Sequence, residues 1–263
     1  MNRPSDGGIS PIHEEGSLVG SLANKNALVT GASRGIGRAI AERLGREGAL
    51  VAVHYGHDAA AARGVVTSIR ESGGQAFAVR AELAMPSASD ELSAGLLPAL
   101  KEHSGREEID ILVNNAGITG GTAFDRTSQD VFHRVTAVNA KAPLFILQRL
   151  LPHIPDGARI VNVTSALTRS ANPDEIVYAM SKGALEQLTL HLAQLLGPRG
   201  ITVNSVVPGS GGQASAVFSR ASALGRAGRP QDIADVVAFL ASEDARWITG
   251  TSVDATGGAL LGR

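Results

Sequence analysis

The sequence predicts a single α/β domain built on a doubly wound parallel sheet with helices on both faces. Two observations support this fold class: short apolar segments alternate with helix-length segments, and several of the short segments are apolar almost throughout. Such alternation is typical of consecutive βαβ units. Continuously apolar strands are expected where helices cover both faces of a sheet. A chain of 263 residues is long enough to bury a substantial core.

Seven strands and six helices follow one another along the chain. Strands are expected at Ala27–Thr30, Ala49–His54, Ala76–Arg80, Ile109–Asn114, Arg159–Val163, Ile201–Val206 and Thr251–Asp254. Helices are expected at Gly37–Gly48, Asp58–Glu71, Ser87–His103, Gln129–Leu151, Tyr178–Leu196 and Gln231–Leu240. No linker or charge run divides this region, so one domain is expected over residues 22–263. Residues 1–21, rich in Gly, Ser and Pro, predict a flexible N-terminal arm.

The composition excludes several function classes. Lys and Arg number 24 against 25 Asp and Glu, which leaves no basic surplus for nucleic acid or an anionic membrane. The chain has no cysteine, and its histidines show no metal-site spacing, so no metal is expected. No apolar stretch approaches the roughly 20 residues that cross a bilayer. We therefore expect a cytoplasmic protein whose partner is a small molecule.

A glycine-rich turn separates the first predicted strand from the first helix. In TGASRGIG, glycines allow backbone N–H groups to approach a pyrophosphate, and the helix N-terminus adds a positive dipole end. Glycine turns also serve as simple connections, so the motif alone leaves both interpretations open. Its position between strand and helix favours dinucleotide binding. The contacts predicted in this turn are Gly31, Ser33, Arg34, Gly35, Ile36 and Gly37.

The end of the second strand indicates which dinucleotide is bound. A carboxylate there would hydrogen-bond the adenosine ribose of NAD, but this chain has Tyr55. Arg34 can form a charge-assisted contact with a 2′-phosphate, so NADP(H) is expected in preference to NAD(H). Asp58 directly precedes an alanine-rich helix, where the role of an N-cap is favoured. His54 and His57 could also approach the phosphate, but surface histidines near a turn are more often bystanders, so no cofactor contact is assigned to them.

Three side chains predict a proton-transfer site. Tyr178 and Lys182 in YAMSK are four residues apart and share a helix face. A nearby ammonium is expected to lower the phenol pKa from its ordinary value of about 10. A lone pair of this spacing is common on helices and carries little weight alone. Ser165 strengthens it, because this residue ends an apolar strand at the sheet edge where ligands of such folds bind.

Six segments, in order and spacing, resemble the short-chain dehydrogenase/reductase superfamily over about residues 22–260. They are TGASRGIG at 30–37, NNAG at 114–117, Asn139 in VNAKAP, Ser165, the pair Tyr178 and Lys182, and Pro208-Gly209. The resemblance implies a Rossmann-type doubly wound sheet of about seven parallel strands. It also implies a catalytic tetrad of Asn139, Ser165, Tyr178 and Lys182.

The same resemblance assigns a role to each of these side chains. Ser165 would bind the substrate carbonyl, and Tyr178 would donate a proton as hydride arrives from the nicotinamide. Lys182 would hold the nicotinamide ribose, and Asn139 would anchor a water. The further cofactor contacts that it implies are Tyr55, Gly56, Glu82, Leu83, Asn115, Ala116, Gly117, Tyr178, Lys182, Pro208 and Gly209. Strand-end and turn-forming roles for NNAG and Pro208-Gly209 can coexist with cofactor binding.

The chain departs from the family pattern in three places. Glu82-Leu83 replaces the Asp-Val or Asn-Val that many relatives place against the adenine, and Gln213 replaces a Thr that bonds the nicotinamide carboxamide. The segment Ser210–Gly225 occupies the place of the substrate-covering lid and is shorter than in fatty-acid-type ketoacyl reductases. A short, mobile lid predicts an open pocket that admits a bulky or ring-shaped ketone.

These observations predict a reversible, NADP(H)-dependent reduction of a ketone to a secondary alcohol, with a cyclic or aromatic polyketide-type substrate. The alternatives are a 3-oxoacyl-carrier-protein-type reductase and a non-catalytic dinucleotide-sensing protein, which an intact tetrad disfavours. The resemblance also implies a homotetramer, or a dimer, through the helices Gln129–Leu151 and Tyr178–Leu196. Small residues such as Ala184 and Ala193, expected to be exposed, suit close helix packing there or within the chain.

Overall fold

The computed structural model describes residues 21–209 and 222–261, which form a seven-stranded parallel sheet flanked by helices. The strands are β1 (Asn26–Val29), β2 (Leu50–Tyr55), β3 (Gln75–Arg80), β4 (Ile111–Asn114), β5 (Arg159–Val163), β6 (Thr202–Pro208) and β7 (Ser252–Ala255). Their order across the sheet is β3-β2-β1-β4-β5-β6-β7. The fold class and all seven strands are confirmed, each strand within two residues of its predicted ends. Apart from Ser21, the predicted N-terminal arm lies outside the described residues.

Helices cover both faces of the sheet. They are α1 (Gly35–Arg46), α2 (Ala59–Glu71), α3 (Ala88–Ser104), α4 (Gln129–Thr136), α5 (Ala142–Leu150), α6 (Ile176–Leu196) and α7 (Pro230–Ala241). One apolar core joins α1, α2 and α7 to the sheet, and a second joins α3, α5 and α6 to its opposite face. Every residue of β1 is buried, as expected for a central strand covered from both sides.

One predicted helix is interrupted. The segment predicted as a single helix over Gln129–Leu151 consists of α4, a wider π-helical turn at Ala137–Lys141, and α5. The prediction of one continuous helix is therefore wrong. Its apolar spacing and helix-favouring residues continue through the turn, so the sequence pattern does not reveal the extra residue. Such turns often lie at functional sites, and this one contains Asn139.

Parallel pairing brings the residues that follow the strands to one edge of the sheet. β4, β5 and β6 align in register, with Asn114 beside Asn162 and Asn162 beside Ser205. The glycine turn after β1, the NNAG segment after β4 and Ser165 after β5 therefore lie at the same carboxyl-terminal edge. This edge is where ligands bind in folds of this kind.

Two further findings concern the described part of the chain as a whole. None of the helices within residues 21–209 and 222–261 has the length and apolar character that a membrane crossing requires. Over the same ranges, His, Asp and Glu side chains form no cluster of three or more that could hold a metal ion.

Ala193 was expected to be exposed, but it is buried against the second core, whereas Ala184 is exposed as expected.

Candidate active site

The glycine turn has room for backbone only. Gly31 has φ +63°, and a Cβ placed on it would lie 2.8 Å from the Cα of Ala116. A Cβ on Gly37 would lie 2.4 Å from both the Gly31 carbonyl oxygen and the Asn115 Nδ2. Any side chain at Gly37 would collide with fixed neighbours. These two glycines therefore allow the close approach of β1, α1 and the NNAG segment.

The N-terminus of α1 suits an anion. No side chain within the described ranges caps this helix, and its first turn holds no acidic residue. The first amides of a helix lack intrahelical partners and carry a positive partial charge. Arg34 stands directly before the helix, extended and exposed. The turn thus fits a dinucleotide pyrophosphate, on backbone geometry alone.

Thr30 joins the glycine turn to the NNAG segment. Its hydroxyl oxygen accepts hydrogen bonds from the amides of Asn115 and Ala116, each at 3.0 Å. The Asn115 Nδ2 in turn donates to the carbonyl of Thr30 at 2.8 Å and to that of Gly31 at 3.2 Å. Asn115 therefore has the structural role anticipated for it. The contribution of Thr30 was missed, although the residue is part of the quoted motif.

Several polar contacts lie at the end of β2, and only one of them was predicted from the sequence. Asp58 caps α2 by accepting a hydrogen bond from the amide of Ala61 at 2.9 Å, which confirms its predicted role. His57 is exposed, as expected of a surface histidine, and its Nε2 lies 2.7 Å from the Glu82 carboxylate. That carboxylate also accepts a hydrogen bond from the amide of Ala84 at 3.2 Å. Tyr55 is partly buried beside them.

His54, by contrast, is a histidine whose interpretation as a surface residue was wrong. It is buried, with 2% of its surface exposed, and it is hydrogen-bonded to the glycine turn rather than exposed near it. Its partners follow β1 and β3, so only the strand order reveals them. Leu83, after β3, is likewise buried.

The phenol of Tyr178 is a weaker acid here than the sequence predicts. Burial raises its pKa above the ordinary value, the nearby carboxylate of Glu175 raises it further, and a hydrogen bond with the Ser165 hydroxyl lowers it. The Lys182 ammonium makes no hydrogen bond with the phenol in this structure. Its Nζ lies 5.9 Å from the centre of the Tyr178 ring and donates to the Val163 carbonyl at 2.7 Å. The expectation that the phenol pKa falls below its ordinary value is therefore wrong, because burial outweighs the influences that lower it.

Lys182 is a buried cation. Only 2% of its surface is exposed, and burial lowers its pKa from 10.5 to about 8. Its side chain therefore remains mostly charged at neutral pH. Gly117 borders it, since a Cβ on that glycine would lie 3.2 Å from the Lys182 Nζ and 3.5 Å from the Asn139 Oδ1.

Asn139 fastens the loop after β4. Its Oδ1 accepts a hydrogen bond from the Ile118 amide at 2.9 Å, and its Nδ2 donates to the Ile118 carbonyl at 2.8 Å. The same Nδ2 donates to the Ser181 hydroxyl at 2.9 Å, and that hydroxyl donates to the Tyr178 carbonyl at 2.7 Å. The side-chain amide of Asn139 is thus committed to protein contacts. Ser181, inside the quoted YAMSK motif, was missed.

Ser165 is held by the loop that follows it. It lies at the start of a short 3-10 turn, Ala166–Thr168, and its hydroxyl accepts a hydrogen bond from the Leu167 amide at 3.2 Å. The Thr168 hydroxyl oxygen lies 3.0 Å from the Glu186 carboxylate and 2.9 Å from the Ser165 carbonyl oxygen, and its single proton is shared between these two acceptors. Glu186 is one helical turn beyond Lys182 on α6, so one helix supports both halves of this site.

A buried polar chain fixes α6 against the sheet. Asn114 donates to Asn162 at 2.8 Å, Asn162 donates to Thr189 at 2.8 Å, and the Thr189 and Ser205 hydroxyls are 2.7 Å apart. All four side chains are at least 97% buried. Hydrogen bonds of this kind are directional, so they specify one position of α6 and hence of Tyr178.

The predicted nicotinamide side is described only in part. Pro208 ends β6, and a Cβ on Gly209 would lie 3.4 Å from the Cα of Thr256. Residues 210–221 of the predicted lid, including Gln213, lie outside the described residues. Its last part is held against the chain, since Ser222 donates to the Gly257 carbonyl at 2.9 Å.

Comparisons with known proteins agree with this geometry. A family model described as enoyl-(acyl carrier protein) reductase matches residues 31–259. The landomycin C-6 ketoreductase LanV, solved with NADP and rabelomycin, is 58% identical with a TM-score of 0.89, over 92% of this chain and 99% of LanV. LugOII, a promiscuous reductase for keto-reduction at C1 in lugdunomycin biosynthesis, is 52% identical with a TM-score of 0.88, over 92% and 100%. The 3-oxoacyl-carrier-protein reductase of Staphylococcus epidermidis is 36% identical, over 90% and 100%.

Proposed function

The chain belongs to the short-chain dehydrogenase/reductase family, and on that premise we propose that it reduces a ketone of a polycyclic aromatic substrate to a secondary alcohol. It is an NADP(H)-dependent oxidoreductase acting on C=O and CH–OH groups. NADPH, when bound, supplies the hydride. The observation that carries the proposal is the convergence of Ser165, Tyr178 and Lys182 at one end of α6, beside a turn that fits a dinucleotide.

The cofactor would lie along the edge from the glycine turn to Lys182. The turn and the N-terminus of α1 would hold the pyrophosphate, and Arg34 would face the 2′-phosphate. Gly56, Glu82 and Leu83 would border the adenosine, as the resemblance implies. The narrow space at Gly117 supports placing the nicotinamide ribose next to Lys182, because any side chain there would meet the ammonium.

Tyr178 would act as the proton donor. Its raised pKa keeps the phenol protonated at neutral pH, which is the state that a donor needs when a ketone is reduced. Ser165 would donate a hydrogen bond to the substrate oxygen while negative charge develops on it. After the proton leaves, the phenolate would be stabilised by the Lys182 ammonium and the Ser165 hydroxyl. The side chain of Asn139 would hold the loop at Ile118 in place, and the water assigned to Asn139 remains a prediction.

The degree of sequence identity to two kinds of reductase supports the proposed substrate class. This chain is 57–58% identical to the angucycline C-6 ketoreductase LanV and 52% identical to LugOII, which is named for keto-reduction in lugdunomycin biosynthesis. It is 36% identical to a 3-oxoacyl-carrier-protein reductase. A flat, multi-ring ketone is therefore the substrate we propose. A thioester-linked linear ketone remains the alternative substrate.

The test is a panel of candidate substrates, and turnover of each is measured as the oxidation of NADPH. Rabelomycin, 2-tetralone and acetoacetyl-CoA would be supplied in turn with NADPH or NADH, and the products identified by mass spectrometry. We expect kcat/KM at least tenfold higher for the ring ketones than for acetoacetyl-CoA, and higher with NADPH than with NADH. Preference for acetoacetyl-CoA would support the carrier-protein alternative. NADPH binding without turnover on any ketone would contradict the proposed function.

We also propose that the chain forms a homotetramer through α4, α5 and α6. Leu144, Phe145 and Leu190 on these helices are large apolar side chains that remain 41–49% exposed in the single chain. Burying them against copies of themselves would remove apolar surface from water. Sedimentation velocity is expected to give a species of four chains, and a monomer at micromolar concentration would contradict the proposal.

A further inference from the structure

A buried histidine connects two parts of the cofactor edge. The Nδ1 of His54 accepts a hydrogen bond from the amide of Gly31 at 3.0 Å, and its Nε2 lies 3.1 Å from the carbonyl oxygen of Ala81. Because Nδ1 accepts, the ring proton is on Nε2, and Nε2 donates to Ala81. His54 is therefore a neutral imidazole with both nitrogens in use.

The two partners belong to different segments. Gly31 follows β1 and begins the glycine turn, whereas Ala81 follows β3 and directly precedes Glu82 and Leu83. β2 lies between those strands, so His54 spans the three strand ends from the middle one. Backbone bonds run alongside, from the Ala32 amide to the His54 carbonyl at 2.8 Å and from the Ala81 amide to the Tyr55 carbonyl at 3.1 Å.

The Gly31 amide depends on this histidine. Gly31 is held at φ +63° with its backbone against Ala116, so it has little freedom to turn its N–H elsewhere. Without the imidazole, a largely enclosed donor would lose its partner, and the peptide plane at the start of the turn would be free to rotate. The directions of the amides that follow depend on that plane.

We propose that His54 is a positioning residue for cofactor binding, which ties the start of the phosphate turn to the loop on the adenine side. It contributes no atom to the cofactor and sets the distance and orientation between the two segments that would hold it. This inference rests on the proposed function, since it assigns the turn to NADPH. It assigns a role to a side chain that neither motif nor spacing identifies.

The geometry dictates which replacements should work. Asparagine places its Oδ1 close to the position of the imidazole Nδ1, so His54→Asn keeps an acceptor for Gly31. Glutamine places its amide nearer to the Nε2 position, so His54→Gln reaches towards Ala81 and leaves Gly31 unpaired. His54→Leu removes both bonds while it fills the space. His103→Leu, on the exposed end of α3, is the matched control.

The experiment measures the Kd of NADPH and of 2′,5′-ADP, with KM and kcat in ketone reduction, for each variant that melts cooperatively. We expect His54→Leu and His54→Gln to raise the Kd of both ligands about tenfold with kcat at saturation within threefold. His54→Asn should recover most of the affinity, and His103→Leu should match the wild type. Wild-type affinity in His54→Leu, or equal losses in the Asn and Gln variants, would overturn the role. Wild-type protein that binds no NADPH would overturn the proposed function itself, and this inference with it.

Discussion

The two halves of the strand-end edge are built on different principles. The cofactor half, which comprises the turn at 30–37 with His54 and Ala81, pairs neutral groups through hydrogen bonds of 3.0–3.1 Å and relies on glycines for space. The proton-transfer half, which comprises Ser165, Tyr178 and Lys182, buries a cation and a phenol whose pKa values are both displaced by burial. Changes in the first half should alter binding through shape, whereas changes in the second should alter chemistry and stability in opposite directions.

The largest effect is expected from Lys182→Met. Loss of the ammonium should lower kcat/KM for ketone reduction by about a thousandfold, since the phenolate left by proton donation loses its stabilising charge. Burial lowers the Lys182 pKa from 10.5 to about 8, so the charged side chain destabilises the fold below pH 8. This destabilisation decreases as the pH rises from 8 towards 10.5. At neutral pH this cost is about 3 kcal/mol, and it is partly offset by the bond to Val163.

The stability of Lys182→Met should therefore differ from that of the wild type in a pH-dependent way. We expect the variant to be about 1 kcal/mol more stable at pH 7, because the unpaired Val163 carbonyl cancels part of the gain. Its advantage should shrink at pH 10. Thermal or urea unfolding at both pH values checks this, with exposed Lys101→Met as control. A variant no more stable than wild type at pH 7, with no change in the difference at pH 10, would contradict the account.

Gly37→Ala is expected to weaken NADPH binding strongly and to change turnover less than Lys182→Met does. Its Cβ would lie 2.4 Å from two fixed atoms, so the turn must shift and the Kd of NADPH should rise about a hundredfold. Isothermal titration measures this directly. Gly64→Ala in α2, where a Cβ meets nothing within 4 Å, is the control. It should bind NADPH normally and gain up to about 1 kcal/mol in stability. Equal affinities in the two variants would refute the tight-turn interpretation.

A further prediction concerns the pH dependence of stability in the cofactor half. Burial lowers the pKa of His54 from 6.5 to about 4, and the hydrogen bond to the Ala81 carbonyl, with the carboxylates of Glu82 and Glu91, opposes this only partly. The unfolded chain therefore binds the extra proton first, and stability is lost as pH falls from 6.5 to 4, by up to about 3 kcal/mol. Urea unfolding over this range should show a shallower loss in His54→Asn than in wild type. The exposed His103→Asn is the control, and identical slopes in His54→Asn and the wild type would contradict the assignment.

The sequence predicts the fold well because its signals are local. Apolar segments and glycine stops identify the seven strands and, apart from the division of Gln129–Leu151, the α-helices of the described residues, and the motifs identify residues that meet at one edge. The π-helical turn at Ala137–Lys141 escapes prediction because its residues keep a helical pattern. The direction of the Tyr178 pKa was wrong because depth of burial and the distance to Lys182 depend on packing. His54 was misjudged because both of its partners lie on other strands.

The most direct test of the central claim is the reduction of rabelomycin by Tyr178→Phe, measured with NADPH in a single turnover alongside the Kd of NADPH. The account predicts that the Kd stays within about threefold of wild type while the reduction rate falls by at least about a thousandfold, because the ring remains and the proton donor is gone. Reduction by Tyr178→Phe within tenfold of the wild-type rate would contradict it.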